Sequence, residues 1–118
     1  MSAQTNILDN YKWKNRLVLL FTPDVENQDY ESQQALVKDA KEEYRERDLV
    51  VLSFQQGDDN GKGLRDRFNI NEDKFTFILI GKDGSEKLRK YIPVNNQLLF
   101  DLIDSMPMRQ SEMKDGKN

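Results

Sequence analysis

At 118 residues the chain is long enough for one domain and too short for two, and it contains neither cysteine nor histidine. Those two absences exclude a thiol redox couple, a zinc ion held by thiolates or imidazoles, and any Ser-His or Cys-His nucleophile. A net charge of -3, with 33% charged and 36% hydrophobic residues, describes an ordinary globular domain with no electrostatic footprint for DNA or RNA.

No stretch approaches the ~20 apolar residues of a membrane span. Residues 1–10 have neither a basic segment nor an apolar core, so no signal peptide is expected in this chain, although a mature domain carrying an added Met1 would look the same. Residues 8–13 read as a short leading strand or turn. Leu17, Val18, Leu19, Leu20 and Phe21 form the first apolar run, stopped at Thr22-Pro23-Asp24. Its length and continuity predict a strand buried on both faces.

Residues 27–47 carry no proline or glycine, and Leu36, Val37, Ala40 and Tyr44 fall on one apolar stripe. This predicts a single long helix lying on a sheet. Residues 49–54 (Leu-Val-Val-Leu-Ser-Phe) are the second strand, and strand–helix–strand implies a parallel pair with a right-handed crossover. Residues 55–62 read as a polar, glycine-rich loop, followed by a short helix marked by Leu64 and Phe68 and stopped at Asn69.

Residues 75–80 are a third apolar strand. Lys82-Asp83-Gly84-Ser85 reads as a tight turn, with glycine supplying a positive φ. Residues 86–92 form a polar edge strand whose Lys and Arg discourage aggregation, ended by Pro93. Asn95 is placed to cap the last helix, with Val94 and Leu99 as a staple across the cap. Leu98, Leu99, Leu102, Ile103 and Met106 are its predicted buried face, and Pro107 its end. The order is a βαβ half followed by a ββα half. The expected fold is therefore α/β, a thioredoxin-like sandwich with a central mixed sheet and helices on both faces. Its predicted span is residues 8–113, with residues 1–7 and 114–118 as flexible termini.

Several segments taken together carry a resemblance. Trp13-Lys14-Asn15-Arg16-Leu17 leads into the first strand, and Arg47-Asp48-Leu49-Val50-Val51 opens the second. Leu64-Arg65-Asp66-Arg67-Phe68 forms the short helix, and Leu79-Ile80-Gly81-Lys82-Asp83-Gly84 builds the hairpin. Ile103-Asp104-Ser105-Met106-Pro107-Met108-Arg109 closes the domain, with Glu112-Met113 after it. The set resembles a family of bacterial proteins of unknown function. The same domain occurs in animal sushi-repeat secreted proteins and in a coiled-coil-named extracellular matrix protein, and is described as peroxiredoxin-like or thioredoxin-like (the P-DUDES type). The resemblance implies that fold and a frequently exported or extracellular setting, and it brings no established reaction. The chain departs from catalytic thioredoxins and peroxiredoxins at the loop that carries their reactive cysteine, which here reads Thr22-Pro23-Asp24-Val25-Glu26-Asn27. Where thioredoxins place a cis-proline before the hairpin strand, this chain has Phe75.

The candidate ligand-binding residues are Arg16, Thr22, Asp24, Lys82, Asp83, Arg89 and Arg109. Thr22 and Asp24 sit beyond the carboxyl end of a parallel strand, where open α/β sheets bind ligands. The plainer reading is a turn in which Asp24 helps cap the next helix. Arg16, Lys82, Arg89 and Arg109 suit a carboxylate or phosphate if they converge, and otherwise pair with Asp83, Asp101 or Asp104. Asp101 and Asp104 alone read as a solvated face or salt-bridge partners. Gly57 to Gly63 fails as a phosphate loop, because Gly63 stands where Ser or Thr is required. It also fails as a calcium loop, lacking the carboxylate ladder. Trp13 reads as a cover over the end of the core or, with Tyr11, as a recognition patch; Met106, Met108 and Met113 read as packing around the last helix.

These readings predict a cysteine-less binding module for a protein or a small anion, with no metal, no cofactor and no nucleic acid. The alternatives are an enzyme without a thiol, with a pocket at residues 22–27 holding Arg16 or Arg109, and a structural or oligomerisation module.

Overall fold

The computed structural model describes residues 6–115. The elements in chain order are α1 (Asn6–Asp9), β1 (Arg16–Thr22), α2 (Gln28–Asp39), α3 (Lys41–Glu46), β2 (Leu49–Gln55), α4 (Asp59–Phe68), β3 (Thr76–Ile80), β4 (Glu86–Lys90), α5 (Asn96–Asp104) and α6 (Pro107–Lys114). The strands form one mixed sheet in the order β2-β1-β3-β4. β1 and β2 are parallel, with Arg16 opposite Leu49 and Thr22 opposite Gln55. β1–β3 and β3–β4 are antiparallel, and the last pair carries an irregularity between Leu79 and Ile80. This is the expected thioredoxin-like α/β arrangement.

Strand alternation divides the core into two layers. Val18, Leu20, Phe77 and Leu79 pack with Tyr30, Ala40, Tyr44, Leu99, Phe100 and Ile103 on one face. Leu17, Leu19, Phe21, Ile78 and Ile80 pack with Leu8, Phe54 and Leu64 on the other. Thus α2, α3 and α5 cover one face and α1 and α4 the other. All seven residues of β1 are buried, as its unbroken apolar run requires. Each of these large side chains contributes roughly 1.5–3 kcal/mol through burial. Among the described residues, no helix is long and apolar enough to cross a membrane.

Four sequence expectations are corrected. Residues 8–13 hold the end of a helix and a turn, not a strand. The long helix breaks at Ala40 (φ -126, ψ 34), which ends α2 and starts α3. The break lies under a buried methyl group, and it keeps Tyr30, Gln33 and Tyr44 all turned to the core. Of the predicted loop, Gln55 ends β2, residues 56–58 make the turn and residues 59–62 open α4, which ends at a left-handed Asn69 (φ 56) as predicted. There Gly61 is a contact residue: a Cβ on it would lie 2.9 Å from the Phe54 Cβ. In α5, Asn95 caps as expected, accepting from the Leu98 N–H at 2.8 Å. Leu98 itself is exposed, while Phe100 takes the buried place.

The C-terminal segment also differs. α5 does stop ahead of Pro107, at Asp104, but Pro107 also opens a further helix: it sits in the first turn of α6, where its missing N–H costs no hydrogen bond. Trp13 is 62% exposed and does not cover the core. Its backbone is left-handed (φ 68) and its N–H donates to the Lys82 carbonyl at 2.6 Å, which turns the ring outward. Met106 is partly buried against the core, whereas Met108 and Met113 are exposed. Of the expected flexible termini, residues 6 and 7 lie in α1 and Lys114 in α6. Residues 1–5 and 116–118 lie outside the described residues.

Candidate functional site

The two ends of β1 have different chemistry. At its carboxyl end, Thr22 is buried and its hydroxyl donates to the Asp24 carbonyl at 2.7 Å. The Asp24 carboxylate accepts the Glu26 N–H at 2.8 Å. The cap of α2 is not Asp24 but Asn27, whose side chain accepts the Tyr30 N–H at 3.0 Å. The loop is therefore closed on itself by local turn bonds, and among the described residues no base stands against the Thr22 hydroxyl to activate it. Phe75 is buried, and no cis peptide occurs among the described residues.

The amino end of β1 gathers charge. Arg16 is 1% exposed and forms a two-pronged bond to Glu112, with both nitrogen–oxygen distances 3.2 Å. It also donates to the Arg47 carbonyl at 3.0 Å. Lys82, just past β3, donates to Asp48 at 2.9 Å and to the same Glu112 at 2.7 Å. Arg109, also 1% exposed, donates to Asp104 at 3.0 Å and to the Glu46 carboxylate at 3.2 Å. Arg47 grips Asp104 at 3.0 and 2.9 Å and lies over the Phe100 ring, 4.4 Å from its centroid. Four cations, Arg16, Arg47, Lys82 and Arg109, thus meet four carboxylates, Glu46, Asp48, Asp104 and Glu112. Among the described residues these charges cancel, and the cluster joins α3, the turn between α3 and β2, β1, the β3–β4 hairpin, α5 and α6.

Its electrostatics follow from that matching. Burial pushes Glu112 up, but hydrogen bonds and charge from Lys82 and Arg16 override it and hold the carboxyl below its usual range. Asp104 behaves alike: burial raises it, and Arg47 and Arg109 bring it below normal. Both carboxylates are ionised partners, and neither is poised to exchange protons near neutral pH.

Beside this cluster is a cleft of about 290 Å³. Arg16, Lys82, Asp83, Lys87, Met106 and Met108 line it. Asp83 belongs to the hairpin turn: it accepts from the Ser85 N–H at 3.0 Å and from Lys87 at 3.2 Å. The Ser85 backbone and hydroxyl bonds lower its carboxyl to about 2. Gly84 supplies the left-handed turn residue (φ 88).

Of the seven candidates, the structure brings Arg16, Lys82, Asp83 and Arg109 to one end. Thr22 and Asp24 are at the other, about 20 Å away along a seven-residue strand. The residues at 22–27 therefore do not hold Arg16 or Arg109. Arg89 stands apart on β4, bound to Glu86 at 2.8 and 2.9 Å. The Asp101 carboxylate accepts from Gln97, while Asp104 is a cluster member. Glu46, Arg47, Asp48 and Glu112 were not among the candidates. Arg109 and Glu112 are three apart after a proline that suits a helix start, and that spacing carried the available signal. No group of three or more metal-ligating side chains occurs among the described residues.

Known proteins agree with this architecture. Coiled-coil domain-containing protein 80 of Danio rerio is 26% identical over 135 residues, covering 92% of this chain. The match spans only 16% of that relative's length. Among solved structures, a reduced Plasmodium vivax 2-Cys peroxiredoxin superposes with a TM-score of 0.69 at 14% identity, over 88% of this chain and 84% of that one. A malaria-parasite thioredoxin-2 gives 0.61 at 22% identity, over 78% and 84%. At such identities these likenesses establish the fold alone. Residues 7–112 match a single family, and the chain belongs to it: DUF4174, described as a domain of unknown function.

Proposed function

We propose that this domain works by stoichiometric binding of a protein partner, without thiol turnover. The observation that carries the reading is the neutral floor beside the cleft. Each of the four cations there is already matched by a carboxylate. Such a floor is rigid and offers shape in preference to net charge. The wall supplied by Met106 and Met108 is adaptable and apolar, and Met108 is 40% exposed. Trp13 stands on the adjoining loop, pinned through its N–H to Lys82, with an outward ring suited to anchoring a partner. The ligand class this fits is a peptide segment inserting an apolar side chain between the methionines.

A small anion is the second reading, favoured by the convergence of Arg16, Lys82 and Lys87 on the cleft. An anion entering there competes with Glu112 for Arg16 and Lys82, which weighs against it. An enzyme centred on Thr22 gains no support from its self-bonded loop.

The test has three arms on the full chain. Peroxide and disulfide reduction by the metal-free protein should stay at background. A displayed peptide library selected on the wild type should yield binders weakened at least tenfold by Met108→Asp and unchanged by Thr22→Val. Inorganic phosphate at 10 mM should leave the melting temperature unmoved. Turnover in the first arm, or recovery of no peptide that Met108→Asp weakens, overturns the proposal. A phosphate-dependent rise abolished by Lys87→Ala transfers the site to the anion reading.

A further inference from the structure

The sheet has two edges, and they are treated differently. β4 carries Glu86, Lys87, Arg89 and Lys90 in five residues, and its ladder to β3 is irregular. Charges and irregularities of this kind stop an edge from pairing with another chain. β2, at the other edge, reads Leu-Val-Val-Leu-Ser-Phe-Gln, with no charge and no proline. Its pairing with β1 is regular over all seven residues. Val50, Val51 and Leu52 are only partly buried. α3 packs one face of β2 and α4 the other, and among the described residues no strand lies beyond it.

Backbone alternation shows which groups are open. The Asp48 carbonyl accepts from the Arg16 N–H, and the Gln56 N–H donates to the Thr22 carbonyl. Even-numbered residues of this segment therefore face β1, and Leu49, Val51, Ser53 and Gln55 turn their N–H groups outward. Charge is graded along the same edge. Lys41, Arg45 and Asp48 line the cleft beside Leu49, Val50 and Val51; Lys82 neutralises Asp48 and the exposed Glu42 pairs with Arg45, so the lining at this end is net positive. Asp58 and Asp59 line the space beside Gln55 and Gln56.

We infer that β2 pairs antiparallel with β2 of a second copy of this chain, about a two-fold axis at Leu52, to make one continuous eight-stranded sheet. Antiparallel pairing sets Leu49 opposite the partner's Gln55 and Val51 opposite the partner's Ser53, so every outward N–H finds a strand. The same operation brings the Lys41–Arg45 end of one copy to the Asp58–Asp59 end of the other, twice over. A parallel arrangement would set like charges together, so the charge grading selects the antiparallel, two-fold form. This interface is separate from the cleft beside Arg16, and neither requires the other.

The experiment is sedimentation equilibrium of the full chain from 10 µM to 1 mM, with three variants. The wild type should show a concentration-dependent dimer. Ser53→Pro removes an N–H that serves no bond within the sheet, so it should raise the dimer dissociation constant at least tenfold while the circular dichroism spectrum stays native. If Ser53→Pro does not fold, Asp58→Lys with Asp59→Lys gives the same reading, and adding Lys41→Glu and Arg45→Glu should restore the dimer. Leu52→Cys, the chain's single thiol, should form an intermolecular disulfide at least tenfold faster than Gln34→Cys on exposed α2. A monomer throughout the range, a dimer indifferent to these variants, or a monomer whose β2 edge instead captures an extended apolar peptide overturns the inference.

Discussion

Glu112→Gln is the sharpest probe of the charge cluster. The substitution keeps the side-chain shape and removes one negative charge facing Arg16 and Lys82. Their side chains are 1% and 8% exposed and that of Glu112 is 12%, so solvent screens these pairs little. Removing one member of a buried pair costs about 3–5 kcal/mol when its partner is stranded. Neither cation is wholly stranded: Arg16 keeps the Arg47 carbonyl at 3.0 Å and Lys82 keeps Asp48 at 2.9 Å. The expected loss is therefore about 2–3 kcal/mol. At about 4 °C per kcal/mol for a domain of this size, the melting temperature should fall by about 8–12 °C. Urea unfolding followed by circular dichroism reads this as a shifted midpoint at constant slope. The control is Glu86→Gln, which breaks the more exposed pair with Arg89 and should cost under about 1 kcal/mol. Equal losses for the two variants would refute the reasoning that burial makes the cluster matter.

Acid should act through the same carboxylates. Asp104 and Glu112 have native pKa values below their usual ones, so their stabilisation is complete above the unfolded carboxylate range. It is lost as pH falls from about 4.5 through the native values; urea midpoints at pH 6 and pH 3 should converge between wild type and Glu112→Gln. The Tyr44 hydroxyl is buried with no hydrogen-bond partner among the described residues, and burial raises its pKa. Tyr44→Phe should therefore be neutral or stabilising by up to about 1 kcal/mol in the same titration, and a loss above about 1 kcal/mol would show that the hydroxyl has a partner. Gly61→Ala gains helix propensity but drives a methyl against Phe54 and the Arg65 guanidinium. It should cost about 1–2 kcal/mol, and a stabilised variant would show that α4 can back away from β2.

Much of the fold was legible because strands and caps are written locally. The apolar runs gave β1, β2 and β3 to within a residue or two, and Asn69, Gly84 and Asn95 marked a helix end, a turn and a cap. What misled was residue type taken without its neighbour. Glycines in α4 read as loop because the demand for Gly61 comes from Phe54, a residue of another element. Pro107 read as a stop because proline both ends and begins helices, and only the burial of Arg109 behind it tells which. The candidate basic residues were half right for the same reason. Arg16 and Arg109 are 93 positions apart in sequence, and their convergence depends on the tertiary pair of Arg16 with Glu112, which stands one helical turn beyond Arg109. Arg89, equally basic, answers to its near neighbours Glu86 and Tyr91 and stays outside the cluster.

The last helix has an unusual attachment. Its one buried residue is Arg109, and its other inward tie is Glu112, reaching a residue 96 positions earlier. α6 is thus moored by ions where the other main helices are moored by oil. Acid strong enough to protonate its carboxylate partners, below about pH 4.5, should peel it away while the sheet stays closed. In hydrogen exchange it would then be a separately opening unit, the last to dock and the first to leave.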